Sequence, residues 1–191
     1  MTAWLFAVGR MLGLGSVAGI RPSMTLAVIG IVSKLGWGVG LNPTFSFLGH
    51  WLAILVFVVF GLLESSFDKI PKLDRIQGQL TMPYRLVAGA VAGAATISFG
   101  WRGVIVGAAV GAAAAWTSTY VKALTRPKSV PSDAALTLIS LWEDLAVFAG
   151  AVLTLIVSPV GYAIAAFTGF VYWRVRSRRR AKYSAMQRRR A

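Results

Sequence analysis

The sequence predicts an all-α, polytopic transmembrane bundle of about six crossings, some of them short or broken. Three observations lead there. Apolar residues make up 57% of the 191-residue chain and charged residues only 14%, too little charge to cover a soluble domain of this size. Whole stretches, residues 45–63 and 103–121 among them, carry no Asp, Glu, Lys or Arg. Glycine and alanine recur every fourth residue inside the apolar runs, a spacing that lets membrane helices pack backbone to backbone.

The elements follow in order, each needing roughly 17–25 mostly apolar residues to cross the hydrocarbon. Residues 3–35 are apolar but interrupted at Arg21-Pro22. Pro22 removes a helical donor and disfavours helical geometry at the residue before it, which predicts one kinked or discontinuous span, with room for an interfacial helix ahead of it. Arg10 interrupts the first apolar run and apolar sequence continues past Arg21, a poor fit to a cleaved signal peptide. Residues 47–67 form the cleanest span, with Glu64 near its end. Residues 86–121 exceed one crossing, and Gly100-Trp101-Arg102-Gly103 is the expected turn between two helices. Residues 136–173 divide in the same way at Ser158-Pro159-Val160-Gly161. The short helices 86–100 and 159–173 are compatible with partial or tilted insertion. Two regions result: a helical bundle over residues 1–173 and a basic tail over 174–191.

Charge orients the bundle. Lys69, Lys72, Arg75 and Arg85 fall in one expected connection, Lys122, Arg126 and Lys128 in another, and the tail carries nine basic residues and no acidic one. With six crossings these segments and the N-terminus share a face, which the positive-inside rule places in the cytoplasm, the bundle lying in the inner membrane. Trp37, Trp51, Tyr84, Trp101 and Trp173 fall near span ends, where aromatic belts form.

Charges inside the spans are costly in hydrocarbon and are usually paired or water-facing. Arg21 lies in the middle of the first apolar stretch and needs an acceptor. Glu64, Glu143 and Asp144 lie at similar depth, so the expectation is a buried polar cluster of Arg21, Glu143 and Asp144, joined by Glu64. Its plainest role is a brace that fixes helix register; a path for a proton or solute is the alternative. Asp68 and Lys72 are spaced for an interfacial pair of little energetic weight. Gly9/Gly13, Gly15/Gly19 and Gly89/Gly93 are small-residue pairs, and Gly103, Gly107, Gly111, Ala115 and Thr119 continue the spacing as a stripe. Such a stripe packs within the bundle or docks a second membrane protein, and sequence alone does not separate the two.

The composition also excludes functions. The chain has no cysteine and a single histidine, His50, so disulfides, thiolate chemistry and multi-histidine metal sites are ruled out. No phosphate-binding glycine loop occurs, and the glycines lie inside apolar helices. The expectation is no enzyme, no cofactor and no metal. The tail residues Arg174, Arg176, Arg178, Arg179, Arg180, Lys182, Arg188, Arg189 and Arg190 suit anionic lipid headgroups or an acidic partner surface, or extend the last helix. Nucleic acid is not expected, because only Tyr183 interleaves the tail's basic residues.

Four segments carry a family resemblance: GLGSVAGIRPSMTLAVIGI at 13–31, LLESSFDKIPKLD at 62–74, KALTRP at 122–127 and SLWED at 140–144. They resemble a family of small bacterial integral membrane proteins known only as a domain of unknown function. The resemblance implies a compact helical bundle and no chemistry. The small size, compact bundle and basic tail also resemble the accessory membrane subunit of mammalian-cell-entry (Mce) lipid importers, ATP-driven machines that move lipid across the envelope. The expected function is therefore a non-catalytic accessory subunit with membrane lipids and membrane proteins as partners. The alternative is a small ion or solute transporter using the buried Glu, Asp and Arg residues.

Overall fold

The computed structural model describes residues 2–67, 81–125 and 133–188, with side chains over 3–67, 81–125 and 137–180. Seven α-helices are described: α1 (Thr2–Ile20), α2 (Pro22–Lys34), α3 (Trp51–Phe67), α4 (Met82–Ala95), α5 (Gly100–Thr125), α6 (Asp133–Ile156) and α7 (Val160–Arg188). A 3-10 helix, Pro43–Gly49, precedes α3 and meets it at a bend of 66°. No strand occurs among the described residues. By length and composition three helices can cross a membrane, within Ala3–Ile20, Gly100–Thr125 and Thr137–Ile156, or four if the bent pair counts as one span.

α1 is the central helix and packs on α4, α5, α6 and α7. Its Met11, Leu14, Val17 and Ala18 are at most 3% exposed. Close approach is possible because small residues meet small residues. A Cβ on Gly15 would lie 2.7 Å from the Gly111 Cα of α5, and one on Gly93 of α4 would lie 2.8 Å from the same atom. The stripe Gly103, Gly107, Gly111 and Ala115 is therefore buried, against α4 and α1 along most of its length and at Gly103 against Ile97 and Phe99 of the preceding turn. Its contacts are within the bundle.

α3 is attached differently. It packs on α2 and the 3-10 helix, and only Ile54 and Glu64 are buried in it. Trp51, Leu52, Leu55 and Phe60 are more than half exposed, as are Leu141, Trp142 and Leu145 of α6. Apolar surface of this extent is what lipid or a membrane partner covers.

Three expectations are corrected. Residues 3–35 do not form a single kinked span. α1 runs from the end holding Ala7, Met11 and Ile97 to the end holding Arg21 and Glu64, and α2 returns, setting Gly30 against Leu48. Arg21, at φ −137° and ψ 84°, breaks the helix hydrogen-bond pattern, and Pro22 starts the next helix where its missing N–H costs nothing. The N-terminal turn of α1 consequently lies at the end opposite the last turn of α5. The turn expected at 100–103 lies instead between Ala95 and Gly100, because Asn42 ties off the end of α4. Its backbone N–H donates to the Ala95 carbonyl at 2.8 Å and its side-chain amide to the Ile97 carbonyl at 2.8 Å. Gly100 then opens α5 at φ +61°, the left-handed region that glycine enters without strain. Finally, Arg85 and Lys122 are not loop cations: both lie within helices and are 3% and 7% exposed.

Candidate functional site

The site is built on the break between α1 and α2. Interrupting a helix orphans its last carbonyls, and in hydrocarbon no water replaces the lost partners. The Gly19 carbonyl accepts from Thr119 Oγ1 at 2.8 Å and from Arg85 Nη1 at 3.3 Å. The Ile20 carbonyl accepts from Lys122 Nζ at 3.4 Å. The Arg21 carbonyl takes the Thr25 N–H and hydroxyl, at 3.1 and 2.8 Å. Cations at the C-terminal end of α1 also meet the negative pole of its dipole.

Those cations are balanced by carboxylates from α3 and α6. Arg21, 1% exposed, sets its Nε 2.7 Å from Asp144 Oδ1. Its Nη1 donates to the Glu64 carbonyl at 3.2 Å and its Nη2 to Ser140 Oγ at 2.9 Å. Asp144 also accepts from Ser65 Oγ. Lys122 Nζ lies 3.2 Å from Glu143 Oε2, and Arg85 Nη2 lies 3.8 Å from Glu64 Oε1. Ser23 and Tyr84 share a hydroxyl–hydroxyl bond of 2.9 Å at the start of α2. Among the described residues three cations thus face three carboxylates, drawn from four helices and the α1–α2 break.

Arg21, Glu64, Glu143 and Asp144 come together at one end of the bundle, but with a different pairing from the one the sequence suggests. Glu143 and Asp144 are adjacent on α6 and so point about 100° apart. Asp144 reaches Arg21 while Glu143 reaches Lys122. Glu64 presents its backbone to Arg21 and its carboxylate to Arg85. Sequence reasoning missed Arg85 and Lys122. A signal existed: Arg85 precedes Gly89 and Gly93 at four-residue spacing, and Lys122 follows Thr119 one turn along the stripe, so both share the buried, small-residue faces.

The tail residues lie elsewhere. α7 continues unbroken from the bundle to Arg188, and Arg174, Arg176, Arg178, Arg179 and Arg180 are exposed along it. Arg179 Nη2 reaches the Leu124 carbonyl at 3.5 Å, near the last turn of α5, and Arg176 stacks 5.7 Å from the Tyr172 ring. The side chains of Lys182 and Arg188 and the residues Arg189 and Arg190 lie outside what is described, as do Asp68 and Lys72. Among the described residues no group of three or more His, Cys, Asp or Glu side chains is placed to hold a metal ion.

Comparison with curated proteins and with solved structures gives no match. A family model does match, over residues 8–178, which include every helix that contributes to the charge cluster. The chain belongs to that family, DUF4126, a domain of unknown function.

Proposed function

We propose that the chain is a non-catalytic accessory subunit of a membrane complex in the inner membrane, with its C-terminal helix on the cytoplasmic side. The observation that carries this reading is the commitment of the buried charges to structure. Arg85 and Lys122 hold the carbonyls freed at the α1–α2 break, and Arg21 binds α3 through the Glu64 backbone and α6 through Asp144 and Ser140. Groups arranged in this way fix helix register. The exposed apolar faces of α3 and α6 supply membrane-embedded docking surface, and the basic helix supplies a cytoplasmic one. We assign the complex to the Mce-type lipid importers, on the strength of the small size, compact bundle and basic C-terminal helix. Purification of the full chain in mild detergent tests both steps. A stable large assembly containing lipid-importer components is the expected result, and a lone oligomer overturns it.

One observation favours the transporter reading: the Glu143 and Asp144 side chains are 21% and 18% exposed, so the cluster reaches the surface of the bundle. A Glu143→Gln protein that stays assembled but loses a flux measured for wild type in proteoliposomes would establish it. Orientation has its own test. Single cysteines at Gly38 or Gly40 should react with an impermeant maleimide from outside and those at Gln77 or Ser132 should not, the reverse pattern inverting the assignment. Reporters fused to the two termini should read opposite faces, given the return of α2.

A further inference from the structure

The end of the bundle opposite the charge cluster contains a cavity of about 530 Å³, walled by the first turns of α1 and by the α4–α5 and α6–α7 turns. Phe6, Arg10, Thr96, Ile97, Phe99 and Ser158 line it. Among the described residues Arg10 is the one charged side chain on its wall. Its Nε donates to Ser158 Oγ at 2.9 Å and its Nη2 to the Leu155 carbonyl at 3.2 Å, both neutral acceptors. The acidic side chains that are described, Glu64, Glu143 and Asp144, all belong to the cluster at the other end. A partly buried guanidinium without a counter-charge is costly in a low-dielectric setting, and an anion relieves that cost.

A second, independent observation comes from Thr96, which lines the same cavity. Thr96 is 8% exposed and its Oγ1 has no hydrogen-bond partner among the described residues. A buried hydroxyl is seldom left so, and a χ1 rotation toward the cavity would let a ligand oxygen satisfy it. Apolar side chains share the wall with Ser98 and Ser158: Ile97 is buried, Phe6 is half exposed, and Phe99 stacks on Trp4 at a centroid distance of 4.2 Å. The combination is one cation with the hydroxyls of Thr96, Ser98 and Ser158, beside the aromatic surface of Phe6 and Phe99.

We infer that this cavity binds an amphipathic anion, whose oxyanion head takes Arg10 and the Thr96 hydroxyl and whose acyl chain leaves along Phe6 and Phe99. This chemistry is shared by an anionic phospholipid of the surrounding bilayer and by a free long-chain fatty acid. The inference does not rest on the accessory-subunit reading.

The test uses the full chain in phosphatidylcholine nanodiscs doped with either phosphatidylglycerol or oleate, and reads the retained ligand by native mass spectrometry. Wild type should retain the doped anion, and Arg10→Gln should lower that retention about tenfold, as expected for loss of a charge-assisted contact. Thr96→Val, which removes the unsatisfied hydroxyl at nearly constant volume, should keep the thermal stability of wild type and still lose retention severalfold. Arg102→Gln, at an exposed cation stacked on Trp101 at the same end, should behave as wild type. Retention of phosphatidylglycerol assigns a bilayer source; retention of oleate alone assigns a free acid. Unchanged retention in both Arg10→Gln and Thr96→Val overturns the proposal, as does stabilisation by inorganic phosphate equal to that by either amphiphile. If Arg10→Gln fails to assemble, Thr96→Val decides alone, and undiminished retention rejects the site.

Discussion

Arg10 and Arg21 leave the same helix segment about three turns apart and meet opposite surroundings. Arg21 is enclosed, with every guanidinium nitrogen within 3.2 Å of a named oxygen: Asp144 Oδ1, the Glu64 carbonyl and Ser140 Oγ. Arg10 is only partly buried, meets neutral oxygens, and faces a cavity without a carboxylate. One end of the bundle therefore closes its charges on itself, whereas the other leaves a charge open. The difference shows that a cation inside a membrane bundle is not one kind of feature. Its neighbours decide whether it serves as a joint or as a receptor.

Mutations break this comparison at different points. The largest effect is expected at Arg21. Arg21→Ala leaves the partly buried Asp144 beside no cation and should cost up to roughly 3–5 kcal/mol in detergent unfolding. Removing Asp144 together with Arg21 should recover much of that loss, since neither charge remains unmatched. If the double variant is no better than the single, the pair is not the joint.

Next in size is the stripe. Gly111→Leu would push a side chain into Gly89 and Gly93 of α4 and should cost about 1–3 kcal/mol or block assembly. Gly169→Leu is the control, because a Cβ there meets nothing within 4 Å, and it should stay within about 0.5 kcal/mol of wild type. Equal stability of the two variants would place the stripe on the outside of the bundle. A smaller loss, about 1 kcal/mol, is expected for Thr119→Val, which takes away one of the two donors on the Gly19 carbonyl while Arg85 remains.

The smallest effect sharpens the contrast directly. Arg10→Gln should change thermal stability by less than about 1.5 kcal/mol, because it gives up hydrogen bonds to neutral acceptors and no ion pair. A loss matching that of Arg21→Ala would make the two arginines structural equals and erase the distinction.

Much of the architecture was legible before any coordinates. Uncharged apolar runs mark membrane-length helices because hydrocarbon penalises charge, and Pro22 marks a helix boundary because it lacks a donor. The four-residue repeat of glycine and alanine marks close packing, since small residues alone let backbones touch. Those readings depend on local chemistry, and local chemistry is written in the sequence. Other features depend on what a residue meets across space. The reversal at Arg21 needed Thr119, Arg85 and Lys122, from helices distant in sequence, to donate to the freed carbonyls of α1. The end of α4 was set by Asn42, more than fifty residues earlier, and no periodicity within 86–100 could announce it. Adjacent Glu143 and Asp144 were separated by helical geometry onto different cations. The sequence by itself determined that this chain forms apolar helices with small-residue seams and a few charges among them. Only the tertiary structure decided that the seam of α5 faces inward, and which charges pair. Both outcomes rest on distances between segments far apart in the chain, and local chemistry places no constraint on those.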